Sequence, residues 1–235
     1  MLTDFHSHIL PAIDDGSRSV EESLAMLRKE AEQGITRVVA TPHFYAHNDN
    51  PERFLKRRAN AYELLQYEME KEANLPRMKL GAEVYYFAGM SDSDVLPSLA
   101  ISGSNYILVE MPGAPWTEPM YKELMGIYEK QNLVPIIAHL DRYIRPFHSH
   151  GIPERLARLP VLVQVNSSFF SDRSTTRMAL RMLNAGLIHL IGSDCHNLLD
   201  RAPNMEFAIQ LIQRKLGPDT INRIRAHESE VLGHE

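Results

Sequence analysis

The stretch Asp4-Phe5-His6-Ser7-His8-Ile9-Leu10-Pro11-Ala12-Ile13-Asp14-Asp15-Gly16 decides how the rest of this chain is read. It begins inside a short apolar run, Leu2 to His8, and ends on a turn that carries two carboxylates. Residues i and i+2 of an extended strand project from the same side, so His6 and His8 put two imidazoles on one side of a strand end. Imidazole nitrogen is the commonest protein ligand for first-row transition metals. The stretch therefore predicts the opening of a metal site whose remaining donors come from later strands. A lone His-x-His also suits a surface strand with two solvated rings, so the other strand ends must decide between the two.

Working outward, seven short β-like runs recur: Leu2 to His8, Thr36 to Thr41, Met78 to Tyr86, Asn105 to Met111, Val134 to His139, Val161 to Val165, and Ile188 to Gly192. Helical patterns separate most of them. Ser19 followed by Glu22 reads as a capping box for a helix carrying Val20, Leu24, Leu27 and Ala31 on one stripe. Asn50-Pro51 reads as an N-cap and first helical residue, with an amphipathic helix running to about Ala73. Further helices are expected over Glu118–Gln131, Ser174–Ala185, Asn204–Lys215 and Asp219–Val231. Strands alternating with helices imply parallel βαβ units, hence an α/β protein. With no linker, repeat or low-complexity segment, residues 1–235 read as one domain. Seven alternations could close as a distorted barrel or lie open as a doubly wound sheet. Neither the dinucleotide-binding nor the P-loop glycine motif is present.

The bulk properties exclude several classes. Lys plus Arg number 25 against 30 Asp plus Glu, a formal charge of −5, which argues against a nucleic-acid backbone as the main partner. No apolar run approaches the roughly 20 residues that span a bilayer. No basic region followed by an apolar stretch marks a secretory signal, so a cytoplasmic protein is expected. Cys195 is the only cysteine, which rules out an intramolecular disulfide.

The candidate donors fall at corresponding places along these runs. His6 and His8 end the first, His43 follows the second, Glu83 lies in the third and Glu110 in the fourth. His139 ends the fifth, and Asp194 and His196 follow the seventh. In parallel α/β folds, functional groups gather at the carboxyl ends of the strands, so these side chains should converge on one mouth, joined by Asp15. Burying so many carboxylates without cations costs several kcal/mol each. A nitrogen and oxygen donor set without thiolates suits manganese, iron, zinc or magnesium better than a structural zinc knot. Aromatic residues near that mouth, Phe44, Tyr45, Trp116 and Tyr143, are candidates to receive an aromatic substrate ring.

Several of these motifs together resemble the PHP (polymerase and histidinol phosphatase) superfamily. They are Asp4-Phe5-His6-Ser7-His8, Asp14-Asp15-Gly16, Thr41-Pro42-His43, the Glu83 and Glu110 strands, His139, and Ser193-Asp194-Cys195-His196. Finer features narrow the likeness: His8-Ile9-Leu10-Pro11, Gly81-Ala82-Glu83-Val84-Tyr85-Tyr86, Glu110-Met111-Pro112 and Asn166-Ser167-Ser168. With these the chain is similar to the bacterial manganese-dependent protein tyrosine phosphatases of capsule and exopolysaccharide operons. The resemblance implies a distorted (β/α)7 barrel with three divalent metal ions, manganese foremost. It implies that His6, His8, Glu83 and Asp194 hold the first ion, that Glu83 bridges to a second held also by Glu110 and His139, and that Asp15, His43 and His196 hold the third. Asp14 stands as the alternative to Asp15. Arg142 and Arg201 match positions that grip phosphate oxygens, for which a planar guanidinium fork is suited. The implied partner is the phosphotyrosine tail of a bacterial tyrosine autokinase. The implied reaction is attack of a metal-activated hydroxide on the phosphomonoester.

One position departs from that pattern. The family has proline after the fifth-strand histidine and glutamate before the arginine, whereas this chain reads His139-Leu140-Asp141-Arg142, which could shift the loop carrying Arg142. Cys195 and Arg201 also fit the Cys-x5-Arg spacing of thiol phosphatases. The intervening His196-Asn197-Leu198-Leu199-Asp200 has no glycine to cradle a phosphate, so Cys195 reads as a small packed residue. Histidinol phosphate phosphatase, a nucleic-acid phosphoesterase and a non-catalytic phosphotyrosine-binding module are the rival readings.

Overall fold

A computed structural model describes residues 2–144 and 151–233. In chain order, the strands are β1 (Thr3–Ser7), β2 (Arg37–Ala40), β3 (His43–Phe44), β4 (Arg77–Leu80), β5 (Glu83–Tyr85), β6 (Tyr106–Glu110), β7 (Val134–Ile137), β8 (Leu162–Asn166) and β9 (Leu190–Gly192). The helices are α1 (Val20–Glu32), α2 (Pro51–Met69), α3 (Leu96–Leu99), α4 (Glu118–Gln131), α5 (Ile152–Leu156), α6 (Ser168–Ser171), α7 (Thr176–Asn184), α8 (Met205–Leu216) and α9 (Pro218–Leu232). None of the described helices is long and apolar enough to cross a membrane.

The capping signals act as their chemistry requires. Ser19 Oγ accepts from Glu22 N at 3.3 Å, and Asn50 Oδ1 accepts from Arg53 N at 2.9 Å. Glu22 does not complete its box: its carboxylate takes the backbone N–H of Arg18 instead. The helix begun by Asn50 ends at Met69, short of the expected Ala73. The buried face of α1 is Ser23, Leu24, Met26, Leu27 and Glu30, so the expected apolar stripe carries a buried acid.

The expected second run ends before Pro42, which has no N–H to give a ladder, and His43-Phe44 beyond it forms a short strand of its own rather than only loop; the expected third run is divided in two at Gly81-Ala82. The seven runs thus become nine strands, arranged as a sheet β1-β2-β4 and a sheet β3-β5-β6-β7-β8-β9. Every described strand pair is parallel. The first and last strands then meet. Ser7 bridges Cys195 in parallel, His8 N donates to Cys195 O at 2.9 Å, and Asp194 N donates to His6 O at 2.7 Å. These bonds join the ends of the sheet order, so the architecture is the distorted barrel and not the open doubly wound sheet. Apolar side chains agree. Phe5 (β1), Val39 (β2), Leu108 (β6), Ile136 (β7) and Leu190 (β9) form one buried cluster, closed by Val231 of α9. Strands this far apart in the sheet order share a cluster only if the sheet curls around it. A larger apolar cluster lies between the sheet and the surrounding helices.

Candidate metal centre

All nine expected donors come together in one place, from the C-terminal ends of strands and the loops after them, from the first residues of β3 (His43) and β5 (Glu83), and from the loop holding Asp15. His6 and His8, both fully buried, bring their Nε2 atoms to 3.1 Å from each other. Each ring is held from behind by an acceptor. His6 Nδ1 lies 3.3 Å from Gln164 Oε1, and His8 Nδ1 lies 2.8 Å from Asp14 Oδ2. An Nδ1–H donated outward leaves the Nε2 lone pair facing inward, the tautomer a metal ligand needs. Glu83 Oε2 is 3.2 Å from His6 Nε2, 3.3 Å from His8 Nε2 and 3.0 Å from His43 Nδ1. Its other oxygen is 2.8 Å from His139 Nε2, which is 3.5 Å from Glu110 Oε1. Asp194 Oδ1 stands 3.6 Å from His6 Nε2 and 3.5 Å from His8 Nε2.

Asp14 and Asp15 take different parts. Both oxygens of Asp14 are engaged outside the cluster, by His8 Nδ1, by the backbone N–H of His43 at 3.0 Å and by that of Gly16 at 3.0 Å. Asp15 reaches the mouth, its Oδ1 lying 3.5 Å from His43 Nε2 and 3.4 Å from His196 Nε2. His196 Nδ1 is tied to Asp194 O at 3.0 Å, which turns its Nε2 toward Asp15.

The donors gather into three overlapping groups: His6, His8 and Asp194; His43, Glu83 and Glu110; and His8, Asp15, His43 and His196. They overlap the sets that the resemblance implies, with His8 and His43 each also reaching a neighbouring group and His139 joining through Glu83. The residues fit a set of cations on a direct test. Glu83 Oε2, His43 Nδ1, His139 Nδ1 and His196 Nε2 are buried without a hydrogen-bond partner, although Glu83 Oε2 has three imidazole nitrogens within 3.3 Å. Buried polar atoms are ordinarily satisfied, so donors this close without bonding geometry mark a place for positive charge.

The electrostatics carry the same signature. Burial works to lower the His8 pKa, yet its hydrogen bond to Asp14 and the nearby Glu83 carboxylate carry it up to about 10. Burial works to raise Asp14, and His8 brings it down to about 2. Glu83 ends well below the usual carboxylate range, its burial outweighed by His6, His139 and His43. Glu110, pushed by burial and by Glu83, ends above it. The acids here are arranged to hold positive charge between them.

Backbone strain also concentrates here. Of the five described non-glycine residues with positive φ, two are candidate ligands, His139 (φ 32°) and Asp194 (φ 55°). Each follows the end of its strand and turns the side chain into the mouth, at a cost of about 1–3 kcal/mol. Leu140 is fully buried and begins a 3-10 turn, Leu140–Arg142, that follows His139 directly. Arg142 then reaches Asp194 Oδ2, while Arg201 Nη2 donates to Asp194 Oδ1 at 2.8 Å. Both arginines line a cavity of about 370 Å³ beside the cluster.

Several contributors were not anticipated. Gln164 Oε1 accepts both from His6 Nδ1 and from the His139 backbone N–H, the latter at 2.7 Å. Asn166 Nδ2 donates to Asp194 Oδ2 at 3.0 Å, and Asp141 takes the Asn166 backbone N–H at 2.9 Å. Asp4 ties the two ends of the barrel, accepting from His6 N at 3.1 Å and from Ser193 N at 2.8 Å. An amide or acid inside an otherwise apolar run is the signal that would have found Gln164 and Asp4. Cys195 is fully buried, and burial pushes its thiol well up, so it is no nucleophile. Among the aromatic candidates, Phe44 and Tyr143 are buried, while Tyr45 and Trp116 keep partial exposure.

A parallel barrel with a buried His, Asp and Glu cluster at its strand ends and arginines at the rim defines a PHP-type metal-dependent enzyme class. The chain belongs within it to a particular family: the model for "Capsular polysaccharide synthesis, CpsB/CapC" matches residues 2–232. The chain is 25% identical over 233 residues to the tyrosine-protein phosphatase CpsB of Streptococcus agalactiae, covering 95% of this chain and 94% of that protein. It is 28% identical over 229 residues to the tyrosine-protein phosphatase YwqE of Bacillus subtilis, covering 93% and 86%. Among solved structures, it superposes with a TM-score of 0.82 on one from a study of YwqE from Bacillus subtilis and CpsB from Streptococcus pneumoniae, described as unique metal-dependent tyrosine phosphatases. That match has 22% identity and covers 97% of this chain and 93% of the other.

Proposed function

We propose that this protein, acting as one domain, is a metal-dependent protein tyrosine phosphatase. Its substrate is the phosphotyrosine tail of a bacterial tyrosine autokinase that governs capsule or exopolysaccharide synthesis. The observation that carries this reading is the arrangement around Glu83, one carboxylate oxygen within 3.3 Å of three imidazole nitrogens and hydrogen-bonded to none. Family membership and the names of the relatives support the choice of phosphotyrosine.

Three divalent ions, manganese foremost, would be held by His6, His8, Glu83 and Asp194, by Glu83, Glu110 and His139, and by Asp15, His43 and His196. Bound cations lower the pKa of water toward neutrality and offset phosphoryl charge. The chain does the rest. Gln164 and Asp14 hold His6 and His8 in the donor tautomer. Arg142 and Arg201, which meet at Asp194, turn their guanidinium forks to the phosphoryl oxygens and fix the phosphorus in position. Tyrosine departs as a phenolate with a pKa near 10, so no dedicated general acid is required.

The test is to strip the protein with a chelator and restore manganese, iron, zinc or magnesium singly, following phosphate release from a phosphotyrosine peptide and from histidinol phosphate. Activity on the peptide should vanish on chelation and return best with manganese. Faster turnover of histidinol phosphate, or peptide binding without phosphate release by every reloaded form, would overturn the assignment.

A further inference from the structure

A phosphotyrosine has two unlike ends, and two cavities open at the mouth, of which only the second holds an aromatic ring (Tyr45) and an aliphatic side chain larger than alanine (Ile13). The first, holding Arg142 and Arg201, is lined among the described residues by polar and charged side chains with the sole exception of Ala202. It suits a phosphoryl group, but seating a phenyl ring there would strip water from groups that gain nothing in return. The second, also about 370 Å³, is lined by Ile13, Asp15, His43, Tyr45, Asp49 and Arg57, together with Asp14. That volume lies within the roughly 300–1,000 Å³ usual for small-molecule sites. The cavities share no lining residue, and they adjoin at the cluster, where Arg201 Nη1 lies 3.9 Å from Asp15 Oδ2.

From this juxtaposition we infer that the second cavity is the leaving-group subsite and that Tyr45 is the residue that selects for an aromatic ester. The inference rests on the phosphatase reading above and adds where the ring goes. Tyr45 is half-buried, its ring leaning on His43 with centroids 5.2 Å apart and on Tyr85 at 5.7 Å. Its backbone is fixed before any substrate arrives. Tyr45 N donates to Asp49 Oδ2 at 3.2 Å, Tyr45 O accepts from Asn48 N and Asp49 N at 2.9 and 2.8 Å, and Arg57 Nη2 holds Asp49 Oδ1 at 3.0 Å. A platform already in place loses little entropy on binding. Ile13 adds an apolar side chain to the lining of the same cavity. The competing aromatics are committed elsewhere. Phe44 is fully buried, Tyr143 exchanges two hydrogen bonds with the Met111 backbone, and Trp116 packs on Tyr121 and Tyr143 with its Nε1 donating to Pro112 O.

The experiment uses the manganese-loaded full chain and two readouts, kcat/KM on a phosphotyrosine peptide and Ki for inorganic phosphate, which has no ring. Tyr45→Ala should lower kcat/KM roughly ten- to a hundredfold, mainly through KM, and leave the phosphate Ki within about twofold of wild type. Tyr45→Phe should recover most of the loss, because the ring and not the hydroxyl does the selecting. Tyr45→Leu keeps the site filled should the alanine variant fold poorly, and it should show the same split. Unchanged kcat/KM in these variants, or a phosphate Ki that worsens in step with it, overturns the ring seat. Wild-type protein that releases no phosphate from the peptide removes the phosphatase reading itself, and the subsite with it.

Discussion

Gly192 lies at the point where the barrel closes, and replacing it with alanine tests the closure and the metal cluster together. A Cβ at that position would stand 2.5 Å from His6 Cβ, 2.8 Å from His6 N and 2.9 Å from Gln164 Nε2. Carbon atoms rest comfortably about 3.5–4.0 Å apart, so the overlap is about 1 Å or more. The two nearest obstructing atoms belong to the backbone and first side-chain carbon of β1, so they cannot rotate away as the end of the Gln164 side chain can, and β1 and β9 must separate. The bonds that join them stretch first: Asp194 N to His6 O at 2.7 Å, and Ser193 N to Asp4 Oδ1 at 2.8 Å. Overpacking costs about 1–3 kcal/mol, and a weakened buried hydrogen bond adds about 1 kcal/mol. For a chain of this length that corresponds to a fall in Tm of about 5–15 °C. His6 moves with its strand, and a shift of about 1 Å in a positioned group costs on the order of a hundredfold in rate. Thermal unfolding, manganese titration by calorimetry and phosphopeptide turnover measure the three effects. Gly113→Ala is the control, because nothing lies within 4 Å of a Cβ built there. If Gly192→Ala melts, binds manganese and turns over substrate like Gly113→Ala, then β1 and β9 do not press on each other as described, and the rigidity argued for His6 is wrong.

Two further outcomes follow from individual residues. Asp15→Asn should remove one manganese equivalent, read by calorimetry. Asp14→Asn should keep the stoichiometry, weaken affinity about 10–100-fold and lower the His8 pKa from about 10 in metal-free protein, read by NMR titration. His189 supplies a pH dependence remote from the cluster. Burial and then His227 bring its pKa from 6.5 down to about 4, and its Nδ1 accepts from Val163 N at 3.0 Å. The unfolded chain binds this proton more readily, so the stability is whole above pH 6.5 and is lost as pH falls toward 4. His189→Gln should therefore flatten the decline of the unfolding free energy, read from urea titrations between about pH 7 and 5, by roughly 1–2 kcal/mol, a figure reduced for the solvent that reaches the ring.

Strand ends were readable from sequence because a run of β-branched and apolar residues stops where a histidine or acid begins, as at His6, Glu110 and Asp194. Helix starts at Ser19 and Asn50 were readable because a cap is local chemistry. The strand at His43-Phe44 and the split of the third run were not, since Pro42 and Gly81 mark a break without saying which sheet the chain beyond it joins. The choice between barrel and open sheet came from the resemblance and not from strand and helix periods. In the fold it is made by Ser7 meeting Cys195, a pairing that no local period encodes. Asp14 and Asp15 were indistinguishable as neighbours; their roles separate only because His8 Nδ1 and the His43 N–H both claim Asp14. Glu30 lies on the same face of α1 as Leu27 and Met26, but counting apolar residues alone passes over an acid there. The helices Leu96–Leu99 and Ser168–Ser171 are shorter than the windows in which a helical period can be recognised.

The unanticipated residues share a task, and it explains why the donors could be found while their supports could not. A ligand must be a histidine or an acid at a strand end, so chemistry narrows the candidates. A support needs only to offer the right atom to the back of that ligand, and Gln164, Asn166, Asp4 and Asp14 do so with an amide or a carboxylate alike. Each of the first three also ties one strand to another, so the spacing of the barrel and the spacing of the donors are a single quantity. The groups proposed to meet substrate stand at the edge of this frame, Tyr45 in the loop after β3 and Arg201 in the loop after β9, where it also holds Asp194. Loops can change without moving strands. On the proposed reading, the barrel fixes the reaction chemistry and the choice of ester falls to Tyr45, which no strand ladder needs.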